Sequence, residues 1–164
     1  MFAKIWAWIV AAFWAIVSFL GIAGWFGGLP GGAQLPNPIR TYTSTAELSA
    51  AVGYTVTPPG NIAVIQIYPD PVQYTSIGNM AQLTYPDGTV FRMKPGAAQD
   101  ISGDYTEYPA EQTSNSVPPV TLKGDGTSVF LALWRVNSYN YSLYVPNGEA
   151  ESFFITAAQT GILR

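Results

Sequence analysis

An uncharged apolar run, residues 5–26, IWAWIVAAFWAIVSFLGIAGWF, constrains this chain more than any other stretch. As a helix rising about 1.5 Å per residue it spans roughly 33 Å, close to the roughly 30 Å hydrocarbon core of a bilayer, so a single pass fits. Trp6 and Trp8 near one end, with Trp25 and Phe26 at the other, suit the headgroup boundaries, where a ring can be apolar on one side while its indole N–H finds a wet partner. Lys4 flanks the near end and the next cation is Arg40. The positive-inside bias therefore puts the amino terminus in the cytoplasm and the rest of the chain outside the cell membrane. Ala7, Ala11, Ala15 and Ser18 recur at a spacing of three to four residues. On a helix they form one stripe that lets a second membrane helix approach closely, although alanine is also simply common in such helices. The competing reading is a secretory leader, with Lys4 as its charged start and small residues at Gly21-Ile22-Ala23 or Gly31-Gly32-Ala33 for cleavage, so that the native chain begins at Gly24 or Gln34.

Residues 27–38, GGLPGGAQLPNP, end any helix and read as a Gly/Pro linker. Residues 39–164 then form one outer domain, long enough to build its own core. All ten acids lie beyond the run, against six cations there (Arg40, Arg92, Lys94, Lys123, Arg135 and Arg164). Nucleic acid is excluded as a partner, because phosphate binding needs a basic stripe. The chain has no cysteine and no histidine, which removes disulfides, thiolate and imidazole metal ligands, and Ser-His-Asp chemistry together. No catalytic residue, metal or cofactor is assigned, and the expectation is a protein that is not an enzyme. Asp100 with Asp104 is the one carboxylate pair worth testing for acid–base work. The acids Asp100, Asp104, Glu107 and Glu111 lack the spacing and closing Glu of a calcium loop, and read as a solvated acidic loop.

Ser44-Thr45-Ala46-Glu47 is a capping box. It predicts a helix over about 45–51, in which Glu47 returns to the Ser44 amide, Leu48, Ala51 and Val52 face inward and Gly53 is the stop. Residues 61–68, NIAVIQIY, read as a strand. Pro86-Asp87-Gly88 joins strands 80–85 and 89–94 as a hairpin, with Leu83, Tyr85 and Val90 as core candidates. The stretch 128–135, SVFLALWR, is apolar on both faces, as a covered central strand requires. It turns at 136–138 into a strand over 139–145, where Tyr139, Tyr141 and Leu143 share a face. Pro146-Asn147-Gly148 breaks the sheet, and 149–160 is helical through Phe153, Phe154 and Ala157 before Gly161. The fold class is therefore α+β: a single N-terminal transmembrane helix, then an antiparallel sheet with a short N-terminal and a C-terminal helix packed on it.

The segments AVGYTV, LTYPDGTVFRMKPG, DISGDYTEY and VTLKGDGTSVFLALWRVNSYNYSLYV, followed by an amphipathic helix, occur in this order over about 40–162. Together they resemble a bacterial family of membrane-tethered extracytoplasmic domains of unknown function, sometimes described as the carboxy-terminal domain of candidate anti-sigma factors. The resemblance implies a sensory or interaction module with no catalytic residues to carry over. It does not extend to a cytoplasmic sigma-binding domain, for which the few residues before the run leave no room.

Three roles follow as expectations. The first is an accessory subunit docked through its membrane helix to other membrane protein subunits, with the lipid bilayer as the other partner. The second is a binding or sensory module for a peptide, glycan or envelope component, using Tyr105, Tyr108, Tyr139 and Tyr144 as aromatic contacts. The third is a pilin-like filament subunit, disfavoured because the run carries no embedded acid and is cut by the glycines after it.

Overall fold

In a computed structural model the described residues are 38–59 and 70–160, all within the unit Asn37–Arg164. The apolar run, the linker up to residue 37, the strand expected at 61–68 and the Gly161 stop lie outside them. Among the described residues no helix is long and apolar enough to cross a membrane.

Strand β1 (Ile39–Tyr42) leads into helix α1 (Thr45–Val52), which starts where the sequence places it. Ser44 is the N-cap and its side chain accepts from the Glu47 amide. The return bond differs: the Glu47 carboxylate takes the backbone N–H and hydroxyl of Thr43, one residue earlier. These bonds hold Glu47 below the ordinary carboxylate value. Gly53, at φ 80°, supplies the left-handed cap. Leu48 is the buried anchor of α1, Val52 is half-buried and Ala51 faces solvent, contrary to expectation.

Eight antiparallel strands follow in the order β1-β2-β3-β4-β8-β7-β6-β5. β2 is Gln73–Ile77, β3 Met80–Thr84 and β4 Val90–Pro95. β5 is Ala110–Thr113, β6 Val120–Gly124, β7 Val129–Val136 and β8 Tyr139–Glu149. Each half of the chain is a four-stranded meander, and the two meet where β4 pairs with β8. Register aligns Leu83, Phe91, Leu143, Ala132 and Leu122 in one row across the front face, with Ala81, Met93, Tyr141, Trp134 and Val120 in the next. Helix α1 packs over β1–β3 and helix α2 (Glu151–Thr160) over β6–β8. Leu48 and Val56 from the first half and Phe154, Ala157 and Ala158 from α2 join both rows in a single core. Between the helices the core is aromatic: Trp134 stacks on Tyr141 at 5.4 Å, with Phe91 beside both. Such offset pairs add to burial through their quadrupoles.

Local chemistry accounts for the turns and for two departures from expectation. The Pro86-Asp87-Gly88 turn forms as predicted, its Asp87 carboxylate accepting from the Thr89 amide and hydroxyl. It sets the parity so that Phe91, rather than Val90, enters the core. Pro146-Asn147-Gly148 does not end the sheet. Val129 pairs with Glu149 and Leu131 with Tyr144, so β8 carries three more residues than β7 across that interval and absorbs the breaker as an irregular bulge.

Tyr85 is buried in the front core, and its hydroxyl has no hydrogen-bond partner among the described residues. Burial pushes its pKa upward. An unpaired buried hydroxyl carries a desolvation cost with no compensating bond. Tyr85→Phe is therefore expected to leave stability unchanged or raise it by up to about 1 kcal/mol in urea denaturation, whereas most buried tyrosines lose stability on this change.

Candidate functional site

The connection from β4 to β5, residues 96–109, is the loop expected to be solvated. Most of its residues, Asp100 and Glu107 among them, are exposed as expected, and it also crosses the back of the sheet. Asn140, buried on β8, donates to the Ala97 carbonyl at 2.9 Å and accepts from the Gln99 amide, which pins the loop's first turn. Ile101 and Ser102 are buried, and a Cβ on Gly103 would meet the Arg92 guanidinium at 3.3 Å. Beneath this cover Leu131 is 0 % exposed although it lies outside the front core. Of the doubly apolar strand expected at 128–135, Ala132 and Trp134 are buried in the front core and Leu131 on the back, while Leu133 is half-buried.

Asp100 and Asp104 of the loop are engaged in local bonds. Asp100 accepts from the amide and hydroxyl of Ser102 and lies 3.6 Å from Lys123, which also lies 3.6 Å from Glu111. Asp104 accepts from the Thr106 amide and the Tyr108 hydroxyl. Burial alone would raise its pKa, but these bonds and Lys123 carry it below the ordinary value. Burial lowers Arg92 from its usual value, with Asp104 and Asp100 opposing, and its Nε donates to Gln82 at 2.7 Å. Among the described residues no group of three or more His, Cys, Asp or Glu side chains could hold a metal ion.

Of the four tyrosines singled out as binding aromatics, Tyr139 lies on the opposite face from Tyr144, while Tyr108 and Tyr144 are close enough to interact on the back. Tyr139 lies on the front face with its ring 5.4 Å from that of Tyr54. Tyr144 is half-buried on the back of the sheet opposite Leu131. Tyr108 stacks on Phe130 at 6.3 Å with its hydroxyl on Asp104. Tyr105 stands alone at 95 % exposure on the loop. The helix-packing residues Ala7, Ala11, Ala15 and Ser18, and the interfacial Lys4, Trp6, Trp8, Trp25 and Phe26, lie outside the described residues.

A concave site lies elsewhere on the described surface, at the β5 edge. A cleft of about 350 Å³ is walled by Ala110 and Gln112 of β5, Leu122 and Gly124 of β6, the 126–129 turn and Glu151 at the start of α2. Gly124 lets the 126–129 turn that forms one wall approach closely, because a Cβ there would stand 2.0 Å from the Ser128 carbonyl oxygen. Gln112 Nε2 donates to Glu151 Oε2 at 2.9 Å across the cleft. The sequence carries no signal for this site, because β5, AEQT, has no alternation and a single small apolar residue. No known protein family, curated protein or solved structure matches the chain.

Titration of these groups sets a pH profile. Tyr54, whose hydroxyl joins the Ala81 amide to the Met93 carbonyl, is pushed up to about 12, mainly by burial. Tyr108 and Tyr141 are also raised. A tyrosine with a raised folded pKa contributes stability that is complete below the unfolded value of about 10 and lost as pH climbs through the folded value. Glu47, Asp104 and Asp125 are lowered, so their contributions exist above about pH 4 and vanish below it. With no histidine in the chain, urea-denaturation stability is expected to be flat from about pH 5 to 9 and to fall on both sides.

Proposed function

We propose that this chain is a membrane-anchored extracytoplasmic accessory subunit. The observation that carries the proposal is the uncharged 22-residue run at 5–26, bounded by tryptophans and a single near-side lysine. In this reading the run crosses the bilayer once, amino end in the cytoplasm, and the small residues Ala7, Ala11, Ala15 and Ser18 meet helices of a larger membrane assembly. The α+β domain is the outer, non-catalytic part, held by the linker at 27–38 and contributing surface rather than chemistry. Its large shared core and its loop-covered back face suit a stable docking piece. The test is copurification in mild detergent: the full chain brings down a defined membrane complex, the 27–164 truncation does not, and Ala11→Leu with Ala15→Leu weakens the association. A chain that runs as a partnerless monomer overturns the proposal.

A second reading, an extracytoplasmic peptide-binding module, is favoured by one observation, the cleft beside the β5 edge. The two are compatible, since an accessory subunit needs a surface that meets its partner.

A further inference from the structure

We infer that β5 receives an extended segment of a partner polypeptide as a ninth strand, with a lysine or arginine of that segment entering the cleft beside Gln112. The inference rests on the accessory-subunit reading and names the chemistry of its outer contact. Ser114 donates its amide to the Val120 carbonyl at 2.9 Å, marking a hydrogen-bonded pair. The alternation of an antiparallel ladder makes Gln112–Leu122 and Ala110–Gly124 the next such pairs. The N–H and C=O groups of Glu111 and Thr113 are thereby left pointing away from β6, and among the described residues no strand lies beyond them. These are the groups an added strand uses.

Alternation also fixes where the newcomer's side chains go. Those beside Ala110 and Gln112 lie on the front, over the cleft, while those beside Glu111 and Thr113 lie on the back. At 350 Å³ and open to solvent the cleft is near the lower limit of small-molecule sites, about 300 Å³, and suits a single long side chain. Its charged side chain on the front is Glu151, since Glu111 lines it but turns back toward Lys123, and no cation is among the lining residues. Gln112 engages Oε2 of Glu151, which leaves Oε1 to accept. The nearest lysine, Lys123, is turned to the back face against Asp100 and Glu111. A second copy pairing β5 to β5 would bring Ala110, Gln112 and Ser114 to the cleft side and no cation, so a different chain with an alternating basic pattern fits better.

The test uses the full chain in lipid nanodiscs and two peptides, Thr-Val-Thr-Val-Lys-Val-Thr-Val-Thr and the same sequence with Glu at its centre. The lysine peptide is expected to bind about tenfold tighter and to slow amide exchange at Glu111 and Thr113. Glu151→Gln should bring the two affinities to within about twofold. Thr113→Pro should abolish binding without unfolding the domain, because the lost N–H points outward and proline is tolerated at such an edge position. Equal affinities for the two peptides, unchanged exchange at Glu111 and Thr113, or protection there from self-association without peptide each overturn the inference. A chain that enters nanodiscs but ignores the lysine peptide fails this inference alone, whereas one that stays out of nanodiscs fails the anchoring reading.

Discussion

Replacing Leu131 by alanine is expected to lower the stability of the domain by about 3 kcal/mol, a typical cost for deleting a fully buried leucine and leaving a cavity. Leu131 belongs to the face of β7 that the helices do not cover, opposite Tyr144 and beside Lys123. On an uncovered sheet the same change would stay within about 0.5 kcal/mol. The size of the loss in urea denaturation therefore reports directly whether residues 96–109 seal the back of the sheet. The 0 % exposure of Leu131, with Ile101 at 6 % on the loop, argues that they do.

Gly124→Ala is expected to be comparably severe for a different reason. A methyl group there would meet the Ser128 carbonyl oxygen at 2.0 Å and the Val129 Cα at 3.0 Å, both backbone atoms that cannot swing aside. The β6–β7 register already shifts between Lys123 and Gly124. The turn beyond is held by Asp125 accepting from the Thr127 and Ser128 amides. Relief requires opening this hairpin, at a cost of about 2–4 kcal/mol by analogy with overpacked cores. Thermal denaturation should show the loss, and peptide binding at the β5 cleft should fall with it, because Gly124 is part of the wall.

What could be read from the sequence was what short-range chemistry dictates. Ser44 and Gly53 bracket α1 because capping depends on residues within one turn. The Pro-Asp-Gly hairpin and the shared face of Tyr139, Tyr141 and Leu143 follow from turn geometry and the two-residue period. The strand at 128–135 announced cover on both faces but not what supplied it. Burial of Ile101 and Ser102 under a polar composition depends on Asn140 and Arg92, distant in sequence. Asn140 itself shows the limit: Asn140-Tyr141-Ser142 spells a glycosylation acceptor, yet its amide is buried and spent on the loop. β5 was invisible because an edge strand with three exposed positions is specified by its pairing to β6 and carries no apolar pattern of its own. The cleft, which depends on β5, was hidden with it.

The central claim, that an apolar segment at 5–26 holds this domain outside the membrane, is tested most directly by alkaline carbonate extraction of membranes from cells making the native chain, followed by intact-mass measurement of what remains. The account predicts a chain retained in the membrane pellet with residues 5–26 still attached and its domain open to externally added protease. A chain released into the supernatant, or one whose mass begins at Gly24 or Gln34, would contradict it.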